Sequence, residues 1–161
     1  MLLDWYHHSY CCRILKRIGG KWVQRQVDGD KFVCMDNMVL GKPCLIYSFG
    51  IGSDWTFEDF MDYQGCEIRA YDPTVDFPAK RGDKISFQKK GLGAAKDATK
   101  DTLANILAEN GHTDTMIEYL KIDIEGHELT GFPNWLSTGA LANVHQIALE
   151  LHLTSLHSPV K

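Results

Sequence analysis

Hydrophobic and polar positions follow two alternating patterns along most of this chain. Short apolar runs typical of buried strands occupy residues 44–48, 66–71, 85–89, 117–123 and 145–153. Between these runs, apolar residues recur every three or four positions, which predicts helices over residues 55–63, 103–110 and 128–141. The last helix contains Pro133, which predicts an interruption there. Strands that alternate with helices predict an α/β fold in which a mostly parallel sheet is covered by helices on both faces.

The first 42 residues have a different pattern from the rest of the chain. They contain two glycine turns and short alternating runs such as residues 31–34, and they predict an irregular or hairpin-like lead-in. Residues 43–161 are predicted to form one domain, because a chain of 161 residues with 44% hydrophobic content can bury a single core.

The charge pattern favours no polyanionic partner. The formal net charge is −4 and acidic and basic residues are interspersed, so we expect no binding to nucleic acid. No stretch approaches the roughly 20 apolar residues of a membrane span. The start, MLLDWYHHSYCC, places Asp4 and two histidines where a signal peptide needs an apolar core. The sequence therefore predicts no membrane segment in this chain.

The cysteines lack the paired C-x-x-C spacing of a zinc knuckle. Free or buried thiols are therefore predicted in preference to disulfides. Because the number of cysteines is odd, at least one thiol stays unpaired within a monomer. The five residues are Cys11, Cys12, Cys34, Cys44 and Cys66.

A tight turn follows the first strand of the alternating region, in the sequence CLIYSFGIGSDWTFEDF. Gly50 and Gly52 have no Cβ atom, so the backbone can approach a ligand there, and the following helix presents free N–H groups. The dinucleotide fingerprint G-x-G-x-x-G needs a third glycine where Trp55 stands, which disfavours an NAD site. No Gly-Lys-Ser/Thr follows the turn, which disfavours a nucleoside-triphosphate P-loop.

The second clue to a ligand is Asp72, which ends the second strand of this region. A carboxylate there can accept two hydrogen bonds from a ribose diol. Taken alone, Asp72 is better explained by an ordinary Asp-Pro turn. Together with the glycine turn, it favours a nucleoside ligand without a pyrophosphate. S-adenosylmethionine is such a ligand, because its ribose needs a carboxylate and its amino-acid tail needs backbone groups of a turn.

Four ordered blocks of the sequence resemble one known family. The blocks CLIYSFGIGSDWTFEDF, GCEIRAYDPT, YLKIDIEGHE and HQIALELHL are similar to methyltransferase-like proteins of the methyltransferase-24 type, which are related to FkbM-type methyltransferases. The resemblance covers roughly residues 17–153. It implies a class I methyltransferase fold, which is Rossmann-like with strand order 3-2-1-4-5, and S-adenosylmethionine bound at the glycine turn with its ribose on Asp72. The implied cofactor-binding residues are Ser48, Gly50, Ile51, Gly52, Asp54, Asp72, Pro73, Leu92 and Asp123.

Class I methyltransferases continue past the fifth strand with a helix and an antiparallel strand pair. Only eight residues follow Leu153, so the resemblance predicts that this pair is lacking and that the domain is incomplete at its carboxyl end. The alternative function is therefore a catalytically inactive, methyltransferase-like binding module, as a fragment or short isoform. An NAD-dependent oxidoreductase is a weaker alternative, which Trp55 disfavours.

Titratable side chains concentrate after the fourth and fifth predicted strands. By the resemblance, Asp123 borders the methyl-transfer site, and Asp123 or Glu125 could accept a proton from a hydroxyl acceptor. His127 and His152 are rival bases, but each is better explained as an ordinary residue of a helix start or strand. A divalent metal is conceivable at these strand ends, but we expect none.

The resemblance also implies an acceptor and a location. The implied acceptor is a hydroxyl group on a small molecule, a sugar or a protein. The resemblance suggests the secretory pathway, and the cytoplasm is the alternative location.

Overall fold

A computed structural model of the protein describes residues 12–152, except for residues 24, 37 and 39–41. Cys11 and Leu153 lie outside the described residues. The residues after Leu153, on which the predicted lack of a final strand pair depends, also lie outside them. Within the described ranges, no helix is long and apolar enough to cross a bilayer.

Twelve strands and three helices occur in the described part of the chain. The strands are β1 (Leu15–Ile18), β2 (Lys21–Val23), β3 (Gln26–Asp28), β4 (Lys31–Cys34), β5 (Leu45–Phe49), β6 (Glu67–Tyr71), β7 (Lys80–Arg81), β8 (Ile85–Gln88), β9 (Gly91–Leu92), β10 (Lys100–Asp101), β11 (Tyr119–Ile122) and β12 (Ile147–Leu149). The helices are α1 (Thr56–Tyr63), α2 (Leu103–Glu109) and α3 (Glu128–Ser137). Every strand and helix predicted after residue 43 has a counterpart among them, with bounds that are shorter or, for β5, shifted by one residue.

The centre of the fold is a six-stranded sheet in the order β12-β11-β5-β6-β8-β7. Neighbouring strands run parallel, except that β7 is antiparallel to β8 at one edge. All five residues of β5 are buried, as its mostly apolar sequence predicts for an inner strand of a parallel sheet. The mixed α/β class with a largely parallel sheet is therefore confirmed.

Helices and hydrophobic cores lie on both faces of this sheet. Successive strand residues point to opposite faces, so Ile46 belongs to one core and Tyr47 to the other. On the first face, α1 contributes Phe57 to the core. On the second face, α2 contributes Ile106 and α3 contributes Trp135.

The expected interruption of the last helix near Pro133 is wrong, because α3 continues from Glu128 to Ser137. Proline removes one backbone donor, so the helix loses only the hydrogen bond that residue 133 would give to the Leu129 carbonyl. Trp135, two residues later, is completely buried in the core. Its burial stabilises the helix beyond the proline.

The lead-in is hairpin-like and packs against the sheet. β1 pairs antiparallel with β4, and β2 pairs antiparallel with β3. Ile18 and Val33 are buried in the same core as the apolar side of α1. The Gln146 side chain also exchanges two hydrogen bonds with the backbone of Cys34. The lead-in thus supplies part of the hydrophobic core.

Two disulfides correct the prediction of free thiols. One joins Cys12 to Cys34, and the other joins Cys44 to Cys66. Pairing of β1 with β4 brings the first two cysteines together, with their Cα atoms 5.8 Å apart. The second pair precedes the adjacent strands β5 and β6, with Cα atoms 4.5 Å apart. Since strand pairing creates both contacts, cysteine spacing alone could not reveal them.

Candidate functional site

The turn after β5 contains two glycines with different surroundings. Both have positive φ angles, +80° at Gly50 and +54° at Gly52, which favour glycine. A Cβ atom on Gly50 would lie 1.7 Å from the Asp123 carbonyl oxygen, so this glycine allows the turn to pack against the end of β11. A Cβ atom on Gly52 would meet no atom within 4 Å. Of the two glycines, Gly52 is therefore the one beside open space that a ligand could occupy.

The carboxylate of Asp72 accepts four hydrogen bonds from the protein. Oδ2 accepts from the backbone N–H groups of Ile51 and Gly52, at 2.9 and 2.8 Å. Oδ1 accepts from the N–H and the hydroxyl of Thr74, at 2.7 and 2.6 Å. Burial alone would raise the pKa of Asp72, but these hydrogen bonds outweigh it and hold the pKa below its usual value. Because a carboxylate has about four acceptor positions, all those of Asp72 are in use.

A cavity of about 340 Å³ lies beyond the carboxyl ends of β5, β6 and β11. Ligands of open parallel sheets bind at this edge, and sites for small molecules typically measure roughly 300–1,000 Å³. Glu125 lines the cavity, together with seven of the nine residues predicted to bind a cofactor. These seven are Gly50, Ile51, Gly52, Asp72, Pro73, Leu92 and Asp123.

A larger cavity, of about 660 Å³, lies at the opposite edge of the sheet. Pro43 and Glu67, at the amino ends of two parallel strands, contribute to its lining. Its walls carry both signs of charge, for example Arg69 and Asp83. None of the residues predicted to bind a ligand lines it. We therefore take the smaller cavity, at the carboxyl ends, as the candidate functional site.

Ser48 and Asp54, the other two predicted cofactor-binding residues, do not line the site cavity. The Ser48 hydroxyl donates a hydrogen bond of 2.6 Å to Glu58 on α1, and Lys121 Nζ lies 3.1 Å from the same carboxylate oxygen. Asp54 Oδ1 accepts from the backbone N–H of Thr56 at the start of α1. Both side chains therefore bond to protein groups outside the cavity.

Asp123 follows β11, and its side chain lies beside a cation and a second carboxylate. Lys31 Nζ is 3.5 Å from Asp123 Oδ2 and 2.8 Å from Glu150 Oε2. Burial and the Glu150 carboxylate raise the pKa of Asp123, although Lys31 opposes this effect. The hydrogen bond from Lys31 lowers the pKa of Glu150. Glu125, by contrast, has an 86% exposed side chain at the rim of the cavity.

Glu128 shapes the loop that follows β11. Its buried carboxylate accepts hydrogen bonds from the backbone N–H groups of Ile124 and Gly126, at 2.9 and 2.8 Å. It also accepts one from Nδ1 of His152, at 3.0 Å. The loop holds Glu125 at a φ of 54°, a conformation uncommon for residues other than glycine. One buried acid therefore fixes both the loop and the orientation of His152.

Two residues of this region are not identified as site residues by the sequence. Lys31 belongs to the lead-in, and nothing in the spacing of its neighbours indicates a contact with Asp123. Glu128 does carry a signal, because it is one of three acids in the segment DIEGHE. That signal alone is explained by the helix dipole, which favours an acid at a helix start.

Comparison with known proteins identifies the class of this chain. A family model described as "Methyltransferase domain" matches residues 1–160, so the chain belongs to that methyltransferase-domain family. It is 30% identical over 139 residues to the human (Homo sapiens) "Probable methyltransferase-like protein 24", and equally to the rat (Rattus norvegicus) protein of that name. The resemblance predicted from the four sequence blocks is thereby confirmed. No solved structure matches the chain.

The alignments cover a larger share of this chain than of its relatives. They include 75% of this chain, but 37% of the human relative and 38% of the rat relative. The chain thus spans less than two fifths of the length of these relatives. The family match also begins at residue 1, so it includes the predicted lead-in.

Proposed function

We propose that this methyltransferase domain uses S-adenosylmethionine and transfers its methyl group to a hydroxyl acceptor. The observation that carries the proposal is Gly52, whose missing side chain leaves open space at the carboxyl end of β5. The family description supports a methyl donor in general. When bound, S-adenosylmethionine would supply an electrophilic methyl group.

The residues around the cavity fit this cofactor. Pro73 and Leu92 provide apolar surface that suits an adenine ring. Asp72 is the acceptor that we propose for the ribose diol. Since its acceptor positions are all in use, a ribose hydroxyl has to replace a protein donor. The Thr74 hydroxyl is the donor that can rotate away without moving the backbone.

Asp123 and Glu125 are the residues that we propose to assist methyl transfer. Both line the cavity and follow β11, which pairs directly with β5 and its glycine turn. Transfer to a hydroxyl group needs positioning of the acceptor and a group that takes its proton. Asp123 is the first candidate for this role, because Lys31 and His152 flank its carboxylate and restrict its orientation. Glu125 is the second candidate.

The extent of the domain and the acceptor are also proposals. We place the cofactor and acceptor sites within residues 43–161, with the lead-in completing the core, and the acceptor hydroxyl on a small molecule, a sugar or a protein. A methyltransferase-like binding module without turnover is the second candidate function. It is favoured by the saturation of Asp72, because a carboxylate already engaged by four protein donors is less available to a ribose.

Calorimetric titration of the purified chain tests the proposal. The chain is kept under non-reducing conditions, which preserve both disulfides, and is titrated with S-adenosylhomocysteine and, separately, with NAD. We expect saturable binding of S-adenosylhomocysteine and none of NAD. Binding of NAD alone would support a dinucleotide enzyme, and binding of neither would overturn the proposed cofactor.

A further inference from the structure

Three metal-ligating side chains converge at the end of the site cavity nearest β12. His152 Nε2 lies 3.7 Å from Asp123 Oδ1 and 3.6 Å from Glu125 Oε2. All three candidate ligand atoms lie within 4.8 Å of one another. Hydrogen bonds between nitrogen and oxygen measure roughly 2.7–3.2 Å, so these atoms are too far apart to bond directly. Ligands about 2.1 Å from a shared cation are spaced about 3–4 Å apart, which is close to the observed separations.

His152 is oriented as a histidine that binds a cation. Its Nδ1 faces the carboxylate of Glu128, which can only accept, so Nδ1 carries the hydrogen. Glu128 is completely buried and is held in place by the backbone N–H groups of Ile124 and Gly126. In neutral His152 the lone pair therefore lies on Nε2, which faces Asp123 and Glu125. A carboxylate that fixes the second nitrogen in this way is the usual support of metal-binding histidines.

More negative than positive charge surrounds the side chains of Asp123, Glu125 and His152. Four carboxylates lie near His152, namely those of Asp123, Glu125, Glu128 and Glu150. Lys31 contacts Asp123 through Oδ2 and Glu150 through Oε2. Asp123 Oδ1 and Glu125 Oε2 face His152 Nε2 instead, and Glu150 Oε1 lies 3.9 Å from the same nitrogen. Lys31 and a protonated His152 together could not balance four carboxylates, so a cation between these oxygens and the imidazole would be favoured.

We propose that Asp123, Glu125 and His152 bind one divalent cation, contrary to the expectation from sequence that no metal binds. Two carboxylates favour a hard cation such as Mg²⁺ or Mn²⁺, whereas an imidazole is a poor ligand for Mg²⁺. Mn²⁺ accepts both kinds of ligand. The three residues leave further coordination positions for water or for a substrate oxygen.

A cation at this position would act directly on the acceptor. Asp123 and Glu125 both line the cavity, so the open coordination positions would face the space in which a hydroxyl group is bound. A coordinated hydroxyl loses its proton more readily, because the cation stabilises the alkoxide. With Asp123 bound to the cation, the proton would pass to water instead of to the Asp123 carboxylate. This role rests on the proposed function, whereas binding of the cation does not.

Titration of the metal-free chain with Mn²⁺, followed by the electron paramagnetic resonance signal of free Mn²⁺, tests the site. We expect one saturable site in the parent chain. Glu125→Gln should weaken binding at least tenfold without disturbing the fold, because this side chain is mostly exposed. Glu67→Gln removes a half-exposed acid at the opposite edge of the sheet and serves as the matched control, with affinity within twofold of the parent.

A third variant tests the imidazole separately. His152→Gln removes the ring nitrogen but retains an amide donor for the buried Glu128, and it should also weaken Mn²⁺ binding at least tenfold. Absence of saturable binding to the parent, or unchanged affinity in Glu125→Gln and His152→Gln, would overturn the cation site. If S-adenosylhomocysteine still bound in that case, the proposed function would stand. Mn²⁺ binding without S-adenosylhomocysteine binding would support the cation site and overturn the cofactor.

Discussion

Asp72 Oδ2 lies 2.8 Å from the backbone nitrogen of Gly52. The residue predicted to bind a ribose therefore also stabilises the turn predicted to face the cofactor. A change at Asp72 has two consequences, because it removes an acceptor from the cavity and releases the N–H groups of Ile51 and Gly52. Experiments at this site have to separate ligand binding from stability of the turn.

Gly52→Val should abolish binding of S-adenosylhomocysteine while the chain remains folded, because the added methyl groups fill open space beside the cavity. Gly111→Val is the matched control, since Gly111 also has a positive φ and no atom within 4 Å of its Cβ position. Both variants should lose at least about 1–2 kcal/mol of stability from backbone strain. Calorimetry and urea unfolding measure the two effects. Parent-like affinity in Gly52→Val would contradict the assignment of the turn.

Asp72→Asn should lower the free energy of unfolding by about 1.5–3 kcal/mol at neutral pH, because hydrogen bonds to a charged acceptor are lost. The pKa of Asp72 is lower in the folded chain than in the unfolded chain. Its contribution is therefore present above the unfolded pKa of about 4 and is lost as the pH falls through the folded pKa. Urea unfolding of parent and variant should give a difference that shrinks below about pH 4. A difference independent of pH would show that the charge of Asp72 is unimportant.

Thr74→Val separates the two roles of Asp72. It removes the hydroxyl donor to Oδ1 but retains the backbone N–H donor, so one acceptor position becomes free. If a ribose hydroxyl takes that position, affinity for S-adenosylhomocysteine should rise by about 0.5–1.5 kcal/mol, which calorimetry detects. Weaker binding than in the parent would mean that the Thr74 hydroxyl itself contacts the ligand.

Asp123→Asn should lower turnover by roughly 10²–10⁴, while affinity for S-adenosylhomocysteine stays within a few-fold of the parent. The amide has nearly the same size as the carboxylate, but it cannot take a proton and it binds a cation more weakly. Steady-state kinetics with an identified acceptor measure turnover, and calorimetry measures affinity. Unchanged turnover would move the role to Glu125, and lost cofactor binding would assign Asp123 to the cofactor site.

Replacement of both Cys44 and Cys66 by serine should lower the free energy of unfolding by about 2–4 kcal/mol, because the unfolded chain gains conformational freedom. Cofactor binding should be retained, since this disulfide joins the amino ends of β5 and β6, and the site cavity lies at their carboxyl ends. Mass measurement under non-reducing conditions verifies both disulfides in the parent. Full stability of the double variant would contradict a structural role for this disulfide.

The periodicity of the sequence predicts the elements of the sheet because each strand has a local signature. The inner strand β5 is apolar except for Ser48, and α1 follows with apolar residues at helical spacing. The interruption predicted at Pro133 is wrong because no local signature shows what stabilises α3. That stabilisation comes from the burial of Trp135, which depends on tertiary packing. Local patterns therefore predict elements well, and they fail where a distant contact decides the outcome.

The residues of the candidate site fall into the same two groups, those with a local sequence signal and those positioned by contacts with distant segments. Gly52, Asp72 and Asp123 follow directly from their positions after strands, because the carboxyl ends of parallel strands meet at one edge. Lys31 does not, since it reaches Asp123 only through the packing of the lead-in. The hydrogen bond from Ser48 to Glu58 cannot be predicted from the sequence either, because it depends on which face of β5 the serine occupies. Contacts between distant segments leave no periodic trace in the sequence.

The packing of the lead-in determines how this protein can be shortened for expression. A recombinant chain started at Pro43, where the alternating pattern begins, would lack Ile18 and Val33 of the hydrophobic core. It would also leave Asp123 and Glu150 without the ammonium group of Lys31. Such a product would expose apolar surface, which favours aggregation over a soluble, assayable protein.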